Sequence, residues 1–222
     1  MTPEGSYKNI ILFGPPGVGK GAQAQILSHS HHLPHFSTGE VIRDEITRQT
    51  PLGLQVKDAV NSGCLADDEV VLGIVMSRID LKEYSRGFVM DGFPRNVHQA
   101  ERLDRLLLAR GRKITYALFI TAPVETIITR LAGRRICSQC GLTYHKEFKR
   151  PRIHGVCDMC FGKVVHRQDD SPEAYRDRLR TYAEQTLPLE KYYQRTGILI
   201  RVNGDQTVEQ VAEEIRKAID EQ

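Results

Sequence analysis

Asn9-Ile10-Ile11-Leu12-Phe13-Gly14-Pro15-Pro16-Gly17-Val18-Gly19-Lys20-Gly21 passes from an apolar run into a Gly/Pro loop, and from Lys20 to Leu27 into a helix-compatible segment. The apolar run predicts a parallel strand buried on both faces. Gly14, Gly19 and Lys20 fit all but the last position of the phosphate-binding pattern G-x-x-x-x-G-K-[ST]. Glycines let backbone N–H groups turn inward around phosphate oxygens, the helix points its positive dipole end at the same place, and Lys20 adds a full charge. A Gly-rich turn with an ordinary surface lysine is the plainer reading. The strand before it and the helix after it favour phosphate binding. Gly21 departs from the pattern, standing where a hydroxyl would ordinarily ligate magnesium.

Outward from this loop, strands are expected to alternate with helices. His35-Phe36-Ser37 is a short strand, and Ser37 with Glu40 has capping-box spacing. Asp67, Asp68 and Glu69 sit where a helix N-terminus favours negative charge, ahead of the apolar face Val70, Val71, Ile74, Val75 and Ile79. Gly87 to Asp91 reads as a strand ending in an acid. Val97 to Leu107 reads as a helix stopped at Gly111, Tyr116 to Thr121 as a strand, and Val124 to Leu131 as a helix. Ser171-Pro172 opens a helix towards Leu187, Ile198 to Val202 is the last strand, and Val208 to Ile219 the closing helix. Five strands alternating with helices predict an α/β fold with a parallel sheet covered on both faces.

Composition bounds the rest. The 222 residues are 40% hydrophobic and 27% charged, with a net charge of +3, which excludes a polyelectrolyte that binds along its whole surface. No apolar run reaches membrane-spanning length and Met1 to Lys8 are polar, so a cytoplasmic protein without membrane contact is expected. Cysteines are reduced in that compartment. Four of the five fall in Cys137-Ser138-Gln139-Cys140 and Cys157-Asp158-Met159-Cys160, sixteen residues apart. That spacing is the zinc-ribbon pattern, and four soft thiolates suit tetrahedral zinc, or iron in the same shell. The surrounding segment, about thirty residues, is too short to bury a useful core without the metal.

With both motifs placed, the chain resembles an adenylate kinase of the long-lid, zinc-containing bacterial type, from Asn9 to about Ile219. Gly14 to Gln23 is similar to that family's phosphate loop, in which a glycine after the lysine is usual. Ser37-Thr38-Gly39-Glu40 with Arg43, Asp91-Gly92-Phe93-Pro94-Arg95 with Gln99, and Val202-Asn203-Gly204 match its other motifs. So do Gly133-Arg134-Arg135 and Arg167-Gln168-Asp169-Asp170 with Arg178, at the two ends of the lid. Ala22 stands where threonine is common, and Glu40 where aspartate is common.

The resemblance implies a P-loop kinase fold and the reaction ATP + AMP ⇌ 2 ADP. It divides the chain into a core (1–36, 67–133 and 171–222), an AMP-binding segment (37–66) and a zinc-binding lid (134–170). Lys20, Arg95, Arg134, Arg167 and Arg178 would surround the transferring group. Gly17, Val18, Gly19, Lys20, Gly21, Ala22, Arg134, Thr143, Tyr144 and Gln206 would hold ATP, although Tyr144 has an alternative place inside the knuckle. Thr38, Arg43, Cys64, Leu65, Ala66, Gly92, Arg95, Gln99, Arg167 and Arg178 would hold AMP. Cys137, Cys140, Cys157 and Cys160 would bind a structural zinc, and Asp91 a magnesium through water. A monomer is expected.

Three further expectations concern single residues and clusters. Arg102, Arg105, Arg112 and Arg195 match no motif and are read as surface arginines. His29, His31, His32 and His35 are read as a solvated turn, and Cys64 as a small packed side chain. Beside a nucleotide-binding regulator without turnover, two other functions fit parts of the sequence. One is a kinase of UMP, CMP or GMP. The other is a nucleic-acid-binding ATPase using the basic lid residues Lys146, Lys149, Arg150 and Arg152.

Overall fold

The computed structural model describes residues 7–62, 64–166 and 172–221. β1 (Lys8–Phe13) leads through the glycine loop into α1 (Lys20–His31) and returns as β2 (His35–Ser37). Three helices follow, α2 (Thr38–Thr47), α3 (Pro51–Asn61) and α4 (Asp68–Ile79), then β3 (Gly87–Asp91), α5 (Val97–Leu108), β4 (Tyr116–Thr121) and α6 (Val124–Gly133). A small excursion carries β5 (Arg134–Cys137), β6 (Thr143–His145) and β7 (Val164–His166). α7 (Pro172–Thr181), α8 (Leu189–Thr196), β8 (Leu199–Asn203) and α9 (Val208–Asp220) complete the chain.

The main sheet has the order β2-β3-β1-β4-β8, and every pairing is parallel. Alternation along each strand divides the core in two. Ile11, Phe13, Phe88, Met90, Ala117 and Phe119 face one layer with α4, α5 and α8. Ile10, Leu12, Val89, Leu118 and Ile120 face the other with α1, α6 and α9. β1 is central, and the chain moves from it first to one side and later to the other. The crevice at the carboxyl ends of β1, β3 and β4 is therefore the switch point where α/β sheets bind ligands.

Local chemistry accounts for the helix starts. The Ser37 side chain accepts from the Glu40 N–H, Asp67 from those of Glu69 and Val70, and Asn96 from that of Gln99. Thr207 and Gln210 form a reciprocal capping box on α9. The helix expected from Pro172 towards Leu187 differs from its prediction. It turns into a π-helical stretch at Tyr182–Thr186, and the separate α8 follows. Ser171, the expected cap, lies outside the described residues. The last regular turn of α5 ends at Leu108, and Gly111, at φ +66°, closes the helix end as expected, with N–H groups of Gly111 and Arg112 bonding back to the Leu108 and Leu107 carbonyls.

The histidine reading also needs correction. His35 is a strand residue, not part of a solvated turn, and the Nε2 atoms of His31 and His35 are both buried without a hydrogen-bond partner. Arg112 is no surface arginine either. It donates to Asn9 Oδ1 and the Tyr84 carbonyl and lies 5.4 Å from the centre of the Phe88 ring. Cys64, expected to pack, is exposed.

Candidate active site and metal centre

Strand β1 ends at Phe13, and Gly14 turns so tightly against the Ile120 carbonyl that a side chain there would collide with it. Gly17 adopts φ +86°, and a Cβ on it would sit 2.7 Å from Leu131 Cγ. The loop is thus built for glycine by its backbone shape and by α6 behind it. Helix α1 then starts with no side-chain cap and no acidic residue in its first turn. Its first N–H groups and its dipole are left for an anion. The Lys20 ammonium donates to the carbonyls of Gly14 and Pro15, both at 2.9 Å.

Burial drives the Lys20 pKa down to about 8. The Asp91 carboxylate opposes that fall, and the neighbouring Arg95, Arg178 and Arg134 add to it. Four cations and one carboxylate therefore share the crevice. Lys20, Arg95 and Arg178 line a cavity of about 90 Å³ with Gly92, Pro94, Leu65 and Tyr182. Asp91 Oδ1 is buried without a hydrogen-bond partner, and Oδ2 faces Gly21. An orphaned carboxylate oxygen beside a phosphate loop fits a hydrated magnesium held mostly by the nucleotide.

A polyphosphate such as ATP bound in this loop would carry a proton linkage of definite sign. Below a pH of about 8 the free enzyme carries the charged ammonium, and ATP arrives without a proton. Above it the neutral fraction grows, while polyphosphate favours the ammonium. Each binding event must then recover a proton from solvent. ATP affinity is expected to fall as pH rises through about 8, by up to about tenfold per unit. Calorimetry in two buffers of different ionisation enthalpy should show proton uptake over the same range. A flat profile without uptake would place the ammonium away from the nucleotide.

On the other side of the crevice, the Thr38 hydroxyl donates to the Gly92 carbonyl at 2.8 Å, and Arg95 Nε donates to the same carbonyl at 2.8 Å. The Thr186 hydroxyl, at the end of the π-helical stretch, donates to the Arg95 carbonyl at 2.7 Å. The local path of the chain therefore sets where the Arg95 guanidinium points. Arg43 lies one turn along α2, its guanidinium close to Gly39. Gln99 is 2% exposed, and its Oε1 accepts from the Arg95 N–H at 2.7 Å. Leu65 lines the cavity, Ala66 is buried beside it, and the exposed Cys64 side chain is left out of the cluster. Arg167 lies outside the described residues.

The turn after β8 is tied to the phosphate loop by Arg130, which the sequence reading did not single out. Its guanidinium donates to the carbonyls of Val18, Gly204 and Gln206 at 3.3, 2.8 and 2.9 Å. The Gln206 side chain donates to Glu214 at 2.6 Å. A basic residue four positions before Arg134, near the end of α6, was the only signal available for Arg130.

In the small sheet β6-β5-β7, the four thiols of Cys137, Cys140, Cys157 and Cys160 lie within 4.8 Å of one another. Two sulfur pairs are 3.4 and 3.5 Å apart, close to the roughly 3.8 Å edge of a tetrahedral zinc–sulfur shell. The N–H groups of Gln139 and Met159 point at Cys137 and Cys157 Sγ, each at 3.4 Å. Burial alone would raise the Cys157 thiol pKa, but the Tyr144 hydroxyl and the N–H groups of Cys160 and Met159 bring it down to about 6. The donor set fits a metal ion. The Tyr144 side chain packs in this knuckle, the alternative place that the sequence offered it. It is 2% exposed, donates to Cys157 Sγ and accepts from the Asp158 N–H. Thr143 beside it is half-buried. At the tip, a Cβ on Gly141 would lie 3.8 Å from the Glu40 carboxyl carbon, so the excursion reaches across to α2.

A lysine-bearing phosphate loop on a five-stranded parallel sheet, an acid ending the next strand and converging arginines define the class: a P-loop kinase. The adenylate kinase family profile matches residues 12–198, and the chain belongs to that family of phosphotransferases. It is 44% identical over 212 residues to an adenylate kinase of Clostridium acetobutylicum, covering 96% of this chain and 99% of the relative. It is 42% identical over 210 residues to one of Carboxydothermus hydrogenoformans, covering 95% and 98%. The family implies ATP, AMP and ADP as substrates. Among the described residues no helix is long and apolar enough to cross a membrane.

Proposed function

We propose that this chain transfers the terminal phosphoryl group of ATP to AMP between two seats on either side of the cavity lined by Lys20, Arg95 and Arg178. A phosphate oxygen of AMP attacks the γ-phosphorus, the bond from that phosphorus to the β–γ bridging oxygen breaks, and ADP remains on each side. Such transfer needs positioning and charge stabilisation more than covalent help. The observation that carries the reading is the convergence of Lys20, Arg95, Arg134 and Arg178 near Asp91.

In this reading residues 17–22, Arg134 and the turn at Gln206 hold ATP, with Thr143 and the Tyr144 backbone at the rim. Thr38, Arg43, the backbone at 64–66, Gly92, Arg95 and Gln99 hold AMP. Arg167 and Arg178 complete the charge around the transferring group. Asp91 would hold magnesium, which supplies charge neutralisation on the polyphosphate. The four cysteines would hold zinc as a structural ion. Residues 37–66 and 134–170 are the moving parts over the core, and their meeting at Glu40 and Gly141 excludes water that would otherwise accept the phosphoryl group. The protein acts as a cytoplasmic monomer, without nucleic acid or membrane.

The test is ADP formation from ATP and a panel of monophosphates, read by a coupled assay. AMP is expected to be the preferred acceptor. Preference for UMP or CMP would overturn the assignment of the acceptor seat.

A further inference from the structure

The Asp68 carboxylate carries more side-chain hydrogen bonds than its position on a helix requires. It stands first in α4, yet the cap of that helix is Asp67, which accepts from Glu69 and Val70. Among the described residues, every side-chain hydrogen bond of the Asp68 carboxylate goes to one short stretch instead. Asn96 Nδ2 donates to it at 3.0 Å, His98 Nδ1 at 2.9 Å and Gln99 Nε2 at 2.6 Å. At the other end of the same carboxamide, Gln99 Oε1 accepts from the Arg95 N–H at 2.7 Å.

These two neighbours admit one orientation of the Gln99 amide. A carboxylate only accepts and a backbone N–H only donates. Turning the amide over would set oxygen against carboxylate and NH₂ against N–H, losing two hydrogen bonds at a side chain 2% exposed. The orientation matters because purines differ in the order of their edge groups. Adenine presents a donor at N6 and an acceptor at N1; hypoxanthine and guanine present an acceptor at O6 and a donor at N1. One face of a carboxamide matches the first order and the flipped face matches the second.

We propose that Asp68 is a specificity-determining residue: by locking the Gln99 carboxamide in one orientation, it lets the acceptor seat take AMP and refuse IMP and GMP. This rests on the reading of Gln99 as the group that meets the base. Asp68 touches no substrate and acts through Gln99 as a positioning residue. A mismatched edge at a buried polar site is rejected strongly, because its partners are left unpaired. A carboxamide free to flip loses that rejection.

The experiment compares kcat/KM for AMP and for IMP in wild-type protein, Asp68→Asn, Asp68→Glu and Gln99→Ala. Asparagine keeps the shape of aspartate but can donate as well as accept, so it no longer opposes the flip and leaves the Arg95 N–H as the remaining restraint. Asp68→Asn should lower the AMP-to-IMP ratio at least tenfold, through a higher KM for AMP and a lower one for IMP, with kcat and the KM for ATP held. Asp68→Glu keeps an acceptor-only group and should retain most of the preference, which a mere tie between α4 and α5 does not predict. An unchanged ratio in Asp68→Asn while Gln99→Ala collapses it overturns the lock and leaves Gln99 as the reader. An unchanged ratio in Gln99→Ala overturns the reading beneath it. Should Asp68→Asn not fold, ¹⁵N NMR of the wild-type side-chain amides decides. The Gln99 Nε2 protons should exchange with solvent at least tenfold more slowly than free carboxamides, and exchange at the free rate overturns the proposal.

Discussion

Lys20→Met lowers the turnover of phosphoryl transfer by about 10²–10³-fold, the loss seen when one preorganised donor is removed from developing charge. Methionine keeps most of the side-chain length and an apolar stem, so the loop should close around it. What goes is the ammonium that bridges the Gly14 and Pro15 carbonyls and stands among Asp91, Arg95, Arg134 and Arg178. The effect on folding has the opposite sign. Burial holds this lysine at a pKa of about 8, so its charge is costly to the folded state below that pH, and its removal should leave thermal stability at pH 7 unchanged or higher. Steady-state kinetics with saturating ATP and AMP, beside a melting curve, separates the two effects. Turnover within threefold of wild type would mean that the ammonium does not serve the transfer step.

How much of this was legible in the sequence depended on distance along the chain. The phosphate loop, Asp91 at the end of β3 and the cap at Ser37 are local patterns. Each falls where the structure has the matching element, because strand period, turn glycines and capping oxygens act within a few residues. The cysteine pairs were legible for a related reason, since their ligand spacing is short within each knuckle. Partners brought from far away were not legible. Arg130 meets Val18 and Gly204 across 112 and 74 residues, and only its spacing from Arg134 hints at it. Tyr144 took the alternative place that the sequence offered it inside the knuckle, because the Cys157 sulfur and the Asp158 N–H gave its hydroxyl two partners. The break after Thr181 was hidden by a run of helix-forming residues. It becomes intelligible once Thr186 is seen bonding the Arg95 carbonyl, a contact that a regular helix would place differently.

Removing the metal from the cysteine knuckle should unfold the lid and spare the core. The lid's apolar cluster is Cys137, Tyr144 and Cys157, with Leu142, Cys160 and Val164 packed against it, so half of what holds it together is sulfur. Three short strands and this cluster cannot offset the conformational entropy of the segment. Structural zinc in small domains contributes about 10–16 kcal/mol of apparent folding energy, which is what the segment lacks. Four cysteines would also close a tetrahedral shell, leaving no position for water or substrate, so a metal held there would act on shape and not on the reacting atoms. Chelation in excess magnesium should therefore abolish hydrogen-exchange protection across β5, β6 and β7 while the five-stranded sheet keeps its own. Cys157→Ser should do the same without a chelator, at the one thiol that Tyr144 and two N–H groups hold as a thiolate. Turnover should fall and the KM for ATP rise, because Arg134 at the start of β5 loses its fixed place, but transfer should persist where the core is folded. The informative sample is metal-free protein at a temperature where the five-stranded sheet keeps its protection and both nucleotides still bind. If that protein cannot transfer the phosphoryl group, the metal takes part in the chemistry and the structural assignment is wrong.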